Sequence, residues 1–583
     1  MSGVFERGRT GDYKKLASAR WAYPEGVRKG ASHYEGALKY EPGKIWLGVT
    51  PDEDEFPVGW KDDRHLVTIA GSRAGKGRSA IIPNLLIYPG SVICIDPKGE
   101  NARFTAAIRA APAEEGGLGQ RVYVFDPFNS SEAPESTKAC FNPLALLNTS
   151  EEDVVERVGI IADSMVVQTD AKDAHWDETA RSLIEGLILH VITSPDFKNV
   201  QSLKTVRELL LHGDRRAAAQ KRSQEFVNVT TDIDSPENDD VEYPDDDWKP
   251  DSQSDPETNE ISPFLALLEE MISSEAFPNS IAGLAQSLLD MAPEERGSVL
   301  STARRNTKFL DSVAINRVLG NSLRPFSFDI LKKAVHGATV YLCLPTRYLN
   351  THARWLRLMV ASLFDAMERN YNQPKCGHPV LAIFDEFPVL GYLKSVETAA
   401  GYLAGYGMRL WAIIQDISQL RRDYPKSWET FLGNAGLIQF FANSDYSTLE
   451  FLSKRLGETE VIRELSTKGK SEGYTEQDLS EDDKRIRQRD KSTRAGFFEH
   501  QVDTISRATK VDCTESQTEH VFKTLLMTPG EIAYEFRRIS QLQGVICADA
   551  PPMYLRRVNY DRKDFQEKWR NWRMQSNRSK KLR

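Results

Sequence analysis

The chain has 583 residues, 40% of them apolar and 27% charged, with a formal net charge of −9. That length exceeds what one hydrophobic core organises, so two or more domains are expected. Six cysteines lie scattered without paired spacing, and no stretch approaches the roughly 20 apolar residues of a membrane helix, which excludes a disulfide scaffold and a membrane-embedded chain and points to a reducing cytoplasm.

The negative charge is local. Residues 231–260 carry thirteen acidic side chains against Lys249 alone, and setting aside their −12 leaves +3 on the rest. The body of the chain is therefore able to contact DNA. The acidic stretch 225–260, rich in Asp, Asn, Ser and Pro, reads as a disordered loop.

In chain order, residues 1–60 form a mixed N-terminal segment. The apolar run His65-Leu-Val-Thr-Ile69 then reads as a strand leading into Ala70-Gly-Ser-Arg-Ala-Gly-Lys-Gly-Arg-Ser79. A strand, a glycine-rich loop ending in Gly75-Lys76 and an apolar helix together make a phosphate cradle. Backbone N–H groups of Gly71, Ser72, Arg73, Ala74, Gly75, Lys76, Gly77 and Arg78 line the turn, the helix N-terminus adds positive dipole, and Lys76 reaches the β- and γ-phosphates. Two positions depart from the usual pattern. Ala70 stands where the first Gly belongs, with Gly71 beside it to supply the turn. Gly77 stands where a Ser or Thr hydroxyl usually meets Mg²⁺, which leaves Ser72 or Ser79 to help.

Ser91–Asp96 and Arg121–Asp126 are further strands separated by helical pattern, which argues a parallel, doubly wound α/β sheet. From 150 to 325 the periodicity is helical throughout, with amphipathic stretches at 176–191, 262–274 and 279–291, so this region reads as an all-α insertion. Strands resume at Ala338–Leu344. The nucleotide-binding core thus comprises 61–149 and 326–565.

Pro379-Val-Leu-Ala-Ile-Phe-Asp-Glu-Phe387 is apolar enough for a strand buried on both faces. Adjacent carboxylates at its C-terminal end are costly without a task. Open α/β sheets bind ligands along that edge. Asp385 suits a Mg²⁺ ion, and Glu386 suits orientation and deprotonation of an attacking water. Met408–Ile414 is the next strand, and Gln415 at its tip suits sensing of the γ-phosphate. Phosphate loop, carboxylate pair and amide make an ATPase constellation in which positioning and charge carry catalysis. Leu437–Phe441 and Gly544–Cys547 complete the strands. Lys484-Arg-Ile-Arg-Gln-Arg489 and the basic tail 566–583, with Trp569 and Trp572, suit phosphate neutralisation and base stacking, or else a solvated linker and a frayed end.

These stretches resemble the TraG/TraD-type coupling proteins of type IV secretion and conjugation, which are RecA-like, FtsK-related P-loop ATPases. The likeness is carried by Gly75-Lys76-Gly77, Ile95-Asp-Pro-Lys-Gly-Glu100, Phe141-Asn-Pro-Leu144, Val340–Pro345, Phe384-Asp-Glu-Phe387 and Ile414-Gln415, and it spans roughly 15–565. The resemblance implies a homo-hexamer with ATP and Mg²⁺ at subunit interfaces, a channel for single- or double-stranded DNA, and docking to a relaxase or other secreted protein. On this chain it implies Lys76 on phosphate, Asp385 on the metal, Glu386 as base and Gln415 as sensor. It also implies an arginine acting on a neighbour's site, for which Arg409, Arg304 and Arg305 are candidates. Typical members carry membrane helices ahead of the motor. Their absence here implies a cytoplasmic protein brought to the membrane by a separate anchored component. Two other readings are a DNA pump outside secretion and a nucleotide-gated adaptor that hydrolyses little.

Overall fold

The computed structural model describes residues 19–22, 38–167, 174–214, 262–320, 326–467 and 516–581. The acidic stretch 225–260 and the basic run 484–489 lie outside them. Strands in chain order are β1 (Ile45–Val49), β2 (Pro57–Trp60), β3 (His65–Ala70), β4 (Val92–Asp96), β5 (Arg121–Phe125), β6 (Ala338–Cys343), β7 (Val380–Asp385), β8 (Met408–Ile414), β9 (Ala435–Phe441), β10 (Glu458–Thr467), β11 (Ser516–Leu525), β12 (Leu542–Cys547) and β13 (Ala550–Arg556).

Eleven of these form one sheet in the order β2-β1-β13-β12-β9-β3-β8-β7-β4-β6-β5, while β10 and β11 pair with each other. From β9 to β5 every pairing is parallel. From β9 outward through β12, β13, β1 and β2 every pairing is antiparallel. The apolar runs have a simple cause. Alternate residues of β7 face opposite cores, Val380, Ala382 and Phe384 on one side and Leu381 and Ile383 on the other. β8 divides likewise, with Leu410, Ala412 and Ile414 opposed to Trp411 and Ile413. A sheet covered on both faces needs apolar residues at both parities, which erases the two-residue alternation of a half-exposed strand.

A buried polar chain ties the parallel strands to the antiparallel edge. Trp411 Nε1 donates to Thr68 Oγ1 at 2.8 Å, Thr68 donates to Gln439 Oε1 at 2.8 Å, and Gln439 Nε2 donates to Gln543 Oε1 at 2.6 Å. Gln543 Nε2 in turn reaches the Leu47 carbonyl of β1. Each buried polar group is paired to its neighbour, so the cost of burying it is met and strand register is fixed at the same time.

Between β5 and β6 the described residues hold helices and no strand, chiefly Val154–Met165, Ala174–Thr193, Leu203–His212, Pro263–Ile272, Ala282–Asp290 and Pro293–Asn306. Their buried side chains, among them Val158, Leu183 and Leu187, join one continuous core with Ile93, Ile95 and Phe384 of the sheet. The helix Leu349–Arg369 lies against Val154–Met165 and buries Trp355, Leu358 and Phe364 in the same core.

The sheet extends into the N-terminal segment, since β1 and β2 fall within residues 1–60. The tail also differs from its sequence reading. Its described part continues the helix Lys563–Lys581, and Trp569 is 1% exposed. Trp572 lies with its ring 4.5 Å from Tyr40 and 5.4 Å from Trp46. These tryptophans pack the helix onto β1 and the helix Ile82–Ile87, which takes them away from base stacking.

Candidate functional site

Parallel strands bring their C-terminal ends to one rim, and the site is built from four of them. β3 ends at Ala70 opposite Phe441 of β9, β8 ends at Ile414 opposite Ile69, and β7 ends at Asp385 opposite Ile413. β4, on the far side of β7, ends at Asp96.

From Ala70 the chain turns through Gly71–Lys76 into a π-helical turn, Gly77–Ile81, and then the helix Ile82–Ile87. Two glycines are required here. A Cβ at Gly71 would sit 2.2 Å from the Ala442 carbonyl oxygen, and Gly75 has φ +87°. Ser79 is buried, and its hydroxyl donates to the Gly75 carbonyl at 2.9 Å, so it is turned into the loop's own backbone. Ser72 and Arg73 are exposed on the loop. Arg78 is exposed and forks onto the Asp561 carboxylate.

Lys76 lies close enough to Asp385 to act on its proton affinity. Burial pushes the Asp385 carboxyl up to about 6; the Lys76 ammonium opposes this, Glu386 reinforces it, and Lys98 and a hydrogen bond from Asn101 oppose it. Asp96 is 1% exposed, and burial raises its pKa to about 7. The Ala102 backbone N–H, 2.9 Å from its Oδ2, works against that rise, and the Asp385 charge adds to it. The turn Asp96–Asn101 therefore supplies the site with a second carboxylate, a second lysine and an amide. Its signal in the sequence is the polar cluster Asp-Pro-Lys-Gly-Glu-Asn placed directly after a wholly apolar strand.

Glu386 has φ +72°, a left-handed backbone that is uncommon for a residue with a side chain and that marks sites held by their surroundings. Gln415 Nε2 donates to both carboxylate oxygens of Glu386, at 2.9 and 3.3 Å. The Gln415 carbonyl accepts from Asn443 at 3.4 Å, and its backbone N–H donates to Gln419 Oε1 at 2.9 Å.

Lys76, Asp385, Glu386 and Gln415 are thus brought together, and Arg409 is not. Arg409 occupies the second position of β8, opposite Leu381 near the start of β7. Gln415 lies six positions further along, about 20 Å at strand rise. It is 5% exposed and lies near Tyr88, at the opposite rim. The other two arginines belong to the helix Pro293–Asn306. Arg304 Nε donates to the Leu210 carbonyl at 2.7 Å, and Arg305, 58% exposed, stands 3.7 Å from Asp177.

A glycine-rich loop, a carboxylate pair and an amide on one rim of a mostly parallel sheet define a RecA-like P-loop α/β core. The bacterial conjugative coupling protein TrwB has the same fold. Its trigonal form with sulphate superposes with a TM-score of 0.56 at 14% identity over 94% of this chain and 96% of that one. Its complex with a non-hydrolysable ATP analogue superposes at 0.52, with 15% identity over 90% and 96%. Residues 12–581 match the family model described as type IV secretory system conjugative DNA transfer, and the chain belongs to that family. Conjugal transfer protein TraG of Escherichia coli is 26% identical over 485 residues, 78% of this chain and 66% of that protein. Protein VirD4 of Rhizobium radiobacter is 26% identical over 430 residues, 71% of this chain and 50% of its own length. The chain thus spans between half and two thirds of these relatives.

Proposed function

We propose that this chain is an ATP-hydrolysing coupling protein. It recruits DNA or a relaxase–DNA complex, and other secreted proteins of that kind, and moves them to a type IV secretion channel. The observation that supports this most is the meeting of Lys76, Asp385, Glu386 and Gln415 at one rim. TrwB, which shares the fold, has been solved with ADP and Mg²⁺.

In this reading Lys76 neutralises the β- and γ-phosphates, and the loop N–H groups hold them. Glu386 orients the attacking water and takes its proton, while Gln415 holds the Glu386 carboxylate in place and reads the γ-phosphate beside it. Asp385 suits Mg²⁺. It offers hard oxygen donors beside two lysines fit for phosphate, and no described cluster of three His, Cys, Asp or Glu side chains forms a protein cage. That matches an ion held through one carboxylate, waters and substrate phosphates. The ion supplies charge neutralisation along the triphosphate.

A homo-hexamer with sites between subunits completes the centre with a neighbour's arginine. Arg305 is the exposed one among the three sequence candidates. No helix among the described residues is long and apolar enough to cross a membrane, and in this reading a separate membrane-anchored component brings the motor to the channel from the cytoplasmic side.

The test is ATP turnover by the purified chain with Mg²⁺, with and without DNA. Turnover that rises on adding DNA and is lost in Glu386→Gln supports the motor, and retention of a relaxase in pull-down places it in conjugation. Absence of turnover in the unaltered chain under both conditions leaves the nucleotide-gated adaptor.

A further inference from the structure

The helix Leu349–Arg369 carries two arginines, one turn apart, that reach the end of the helix Val154–Met165. Arg354 Nε donates to the Met165 carbonyl at 3.1 Å, and Arg357 Nε donates to the Ser164 carbonyl at 3.0 Å. The last carbonyls of a helix lack intrahelical partners and carry the negative end of its dipole, so cations suit them. Arg354 turns its Nη2 to Asn306 Oδ1 at 2.9 Å, within the same helical region. Arg357 reaches further. Its Nη1 donates to the Leu390 carbonyl at 2.8 Å and to the Tyr392 carbonyl at 2.5 Å, in the segment that follows Glu386.

Arg357 is 5% exposed, and its hydrogen bonds all end on backbone carbonyls, the remaining one being Val166 at 3.5 Å. Burial draws its pKa down to about 10, so it stays a cation at neutral pH. Burying a guanidinium without a hydrogen-bonded carboxylate is costly, and an apolar side chain would fill the space at less cost. What the guanidinium alone supplies is a rigid fork that grips two segments of chain at once.

One turn separates that grip from the base. Glu386 precedes the 3₁₀ turn Phe387–Leu390, and the Val389 N–H donates to the Glu386 carbonyl at 3.0 Å. Phe387 and Leu390 are buried, and the Phe387 ring stacks on Tyr424 with centroids 6.0 Å apart. Tyr424 directly follows the helix Ile417–Asp423, which begins just beyond Gln415. Its hydroxyl donates to the Gly391 carbonyl at 3.2 Å and accepts from the Leu393 N–H at 3.4 Å. The left-handed backbone of Glu386 thus leads straight into a turn fixed at its far end. A residue in that conformation persists only where its surroundings hold it. We propose that Arg357, with Tyr424 as the second hold, positions Glu386 by fastening the turn Phe387–Leu390 to the end of the helix Val154–Met165. This rests on the reading of Glu386 as the base for hydrolysis, and Arg357 acts on it through the turn as a positioning residue.

The test is steady-state ATP hydrolysis by the full chain with Mg²⁺, with Mg-ADP affinity measured by calorimetric titration in parallel. Arg357→Met is expected to lower kcat about tenfold or more while KM and ADP affinity stay within about twofold, because a misaimed base costs turnover and not binding. Arg354→Met loses its grip on the same helix end but none on the segment after Glu386. It is expected to keep kcat within about twofold even if its melting temperature falls as far as that of Arg357→Met. Equal kcat losses in the two variants would make Arg357 an element of stability alone and overturn the proposal. So would an unchanged kcat in Arg357→Met, or a loss of ADP affinity as large as the loss of kcat. Tyr424→Phe keeps the ring stack and removes the hydroxyl, and is expected to lower kcat several-fold at unchanged ADP affinity. An unchanged kcat there overturns the proposal even if Arg357→Met does not fold. Turnover lost in Glu386→Gln but unchanged in Arg357→Met removes the positioning role and leaves the base standing. Absence of turnover in the unaltered chain removes both.

Discussion

Gln415 Nε2 donates to both carboxylate oxygens of Glu386, at 2.9 and 3.3 Å, across the gap between the ends of β8 and β7. The amide thereby fixes a side chain whose own backbone is held in the left-handed region at φ +72°. Removing that hold leaves Glu386 chemically intact but loosely aimed. Gln415→Ala is expected to lower kcat for ATP by about ten- to a hundredfold, below the loss from removing the base itself, with KM little changed. Steady-state kinetics on Gln415→Ala and Glu386→Gln side by side check the order of the two effects.

Asp96 and Asp385 sit near one another with proton affinities raised to about 7 and about 6. A carboxyl whose pKa is higher folded than unfolded binds more protons in the native state between those two values. Its contribution therefore turns unfavourable as pH rises through that window. Asp385→Asn is expected to raise the thermal stability of the nucleotide-free chain at pH 8, by about 1–2 kcal/mol after allowance for solvent screening. The gain is expected to shrink as pH falls through 6 and to vanish near pH 4. Melting curves of both proteins across that range give the comparison directly.

Two loop glycines that look alike in sequence are expected to respond differently to a side chain. A Cβ at Gly71 meets the Ala442 carbonyl oxygen at 2.2 Å, whereas the nearest atom to one at Gly77 is Asn101 Oδ1 at 3.9 Å. Gly71→Ala is expected to cost about 1–3 kcal/mol and to disrupt phosphate binding, because backbone must move. Gly77→Ser, on a helical backbone with room to spare, is expected to keep the melting temperature and to retain pyrophosphate affinity.

The carboxylate pair was legible because six apolar residues, Pro379–Phe384, before two acids leave few options other than a buried strand ending at a functional rim. The antiparallel edge was harder. β13 contains Pro551 and Pro552, which donate no ladder hydrogen bond, and its register with β12 shifts between Val545 and Cys547 near those prolines. β1 and β2 are short, and β1 joins the sheet through β13, about five hundred residues later, which no local pattern encodes. Arg409 belongs to the strand that ends at Gln415, but strand direction puts the start and end of β8 on opposite rims.

The tail offers a test that separates packing from DNA binding. Trp569 is buried against Phe565 within a cluster that includes Trp46 and Tyr40, so Trp569→Ala is expected to cost about 3–5 kcal/mol of stability. DNA affinity measured well below the lowered melting temperature is expected to stay within about twofold. A large loss of DNA affinity with unchanged stability would return this tryptophan to base stacking.

The most direct measurement is equilibrium binding and turnover of Mg-ATP in two single variants. If one rim holds both the phosphate grip and the water-activating group, Lys76→Ala abolishes ATP binding, whereas Glu386→Gln binds ATP as tightly as the unaltered chain and does not turn it over. Retention of ATP affinity in Lys76→Ala, or undiminished hydrolysis in Glu386→Gln, would contradict a magnesium–triphosphate centre at this rim.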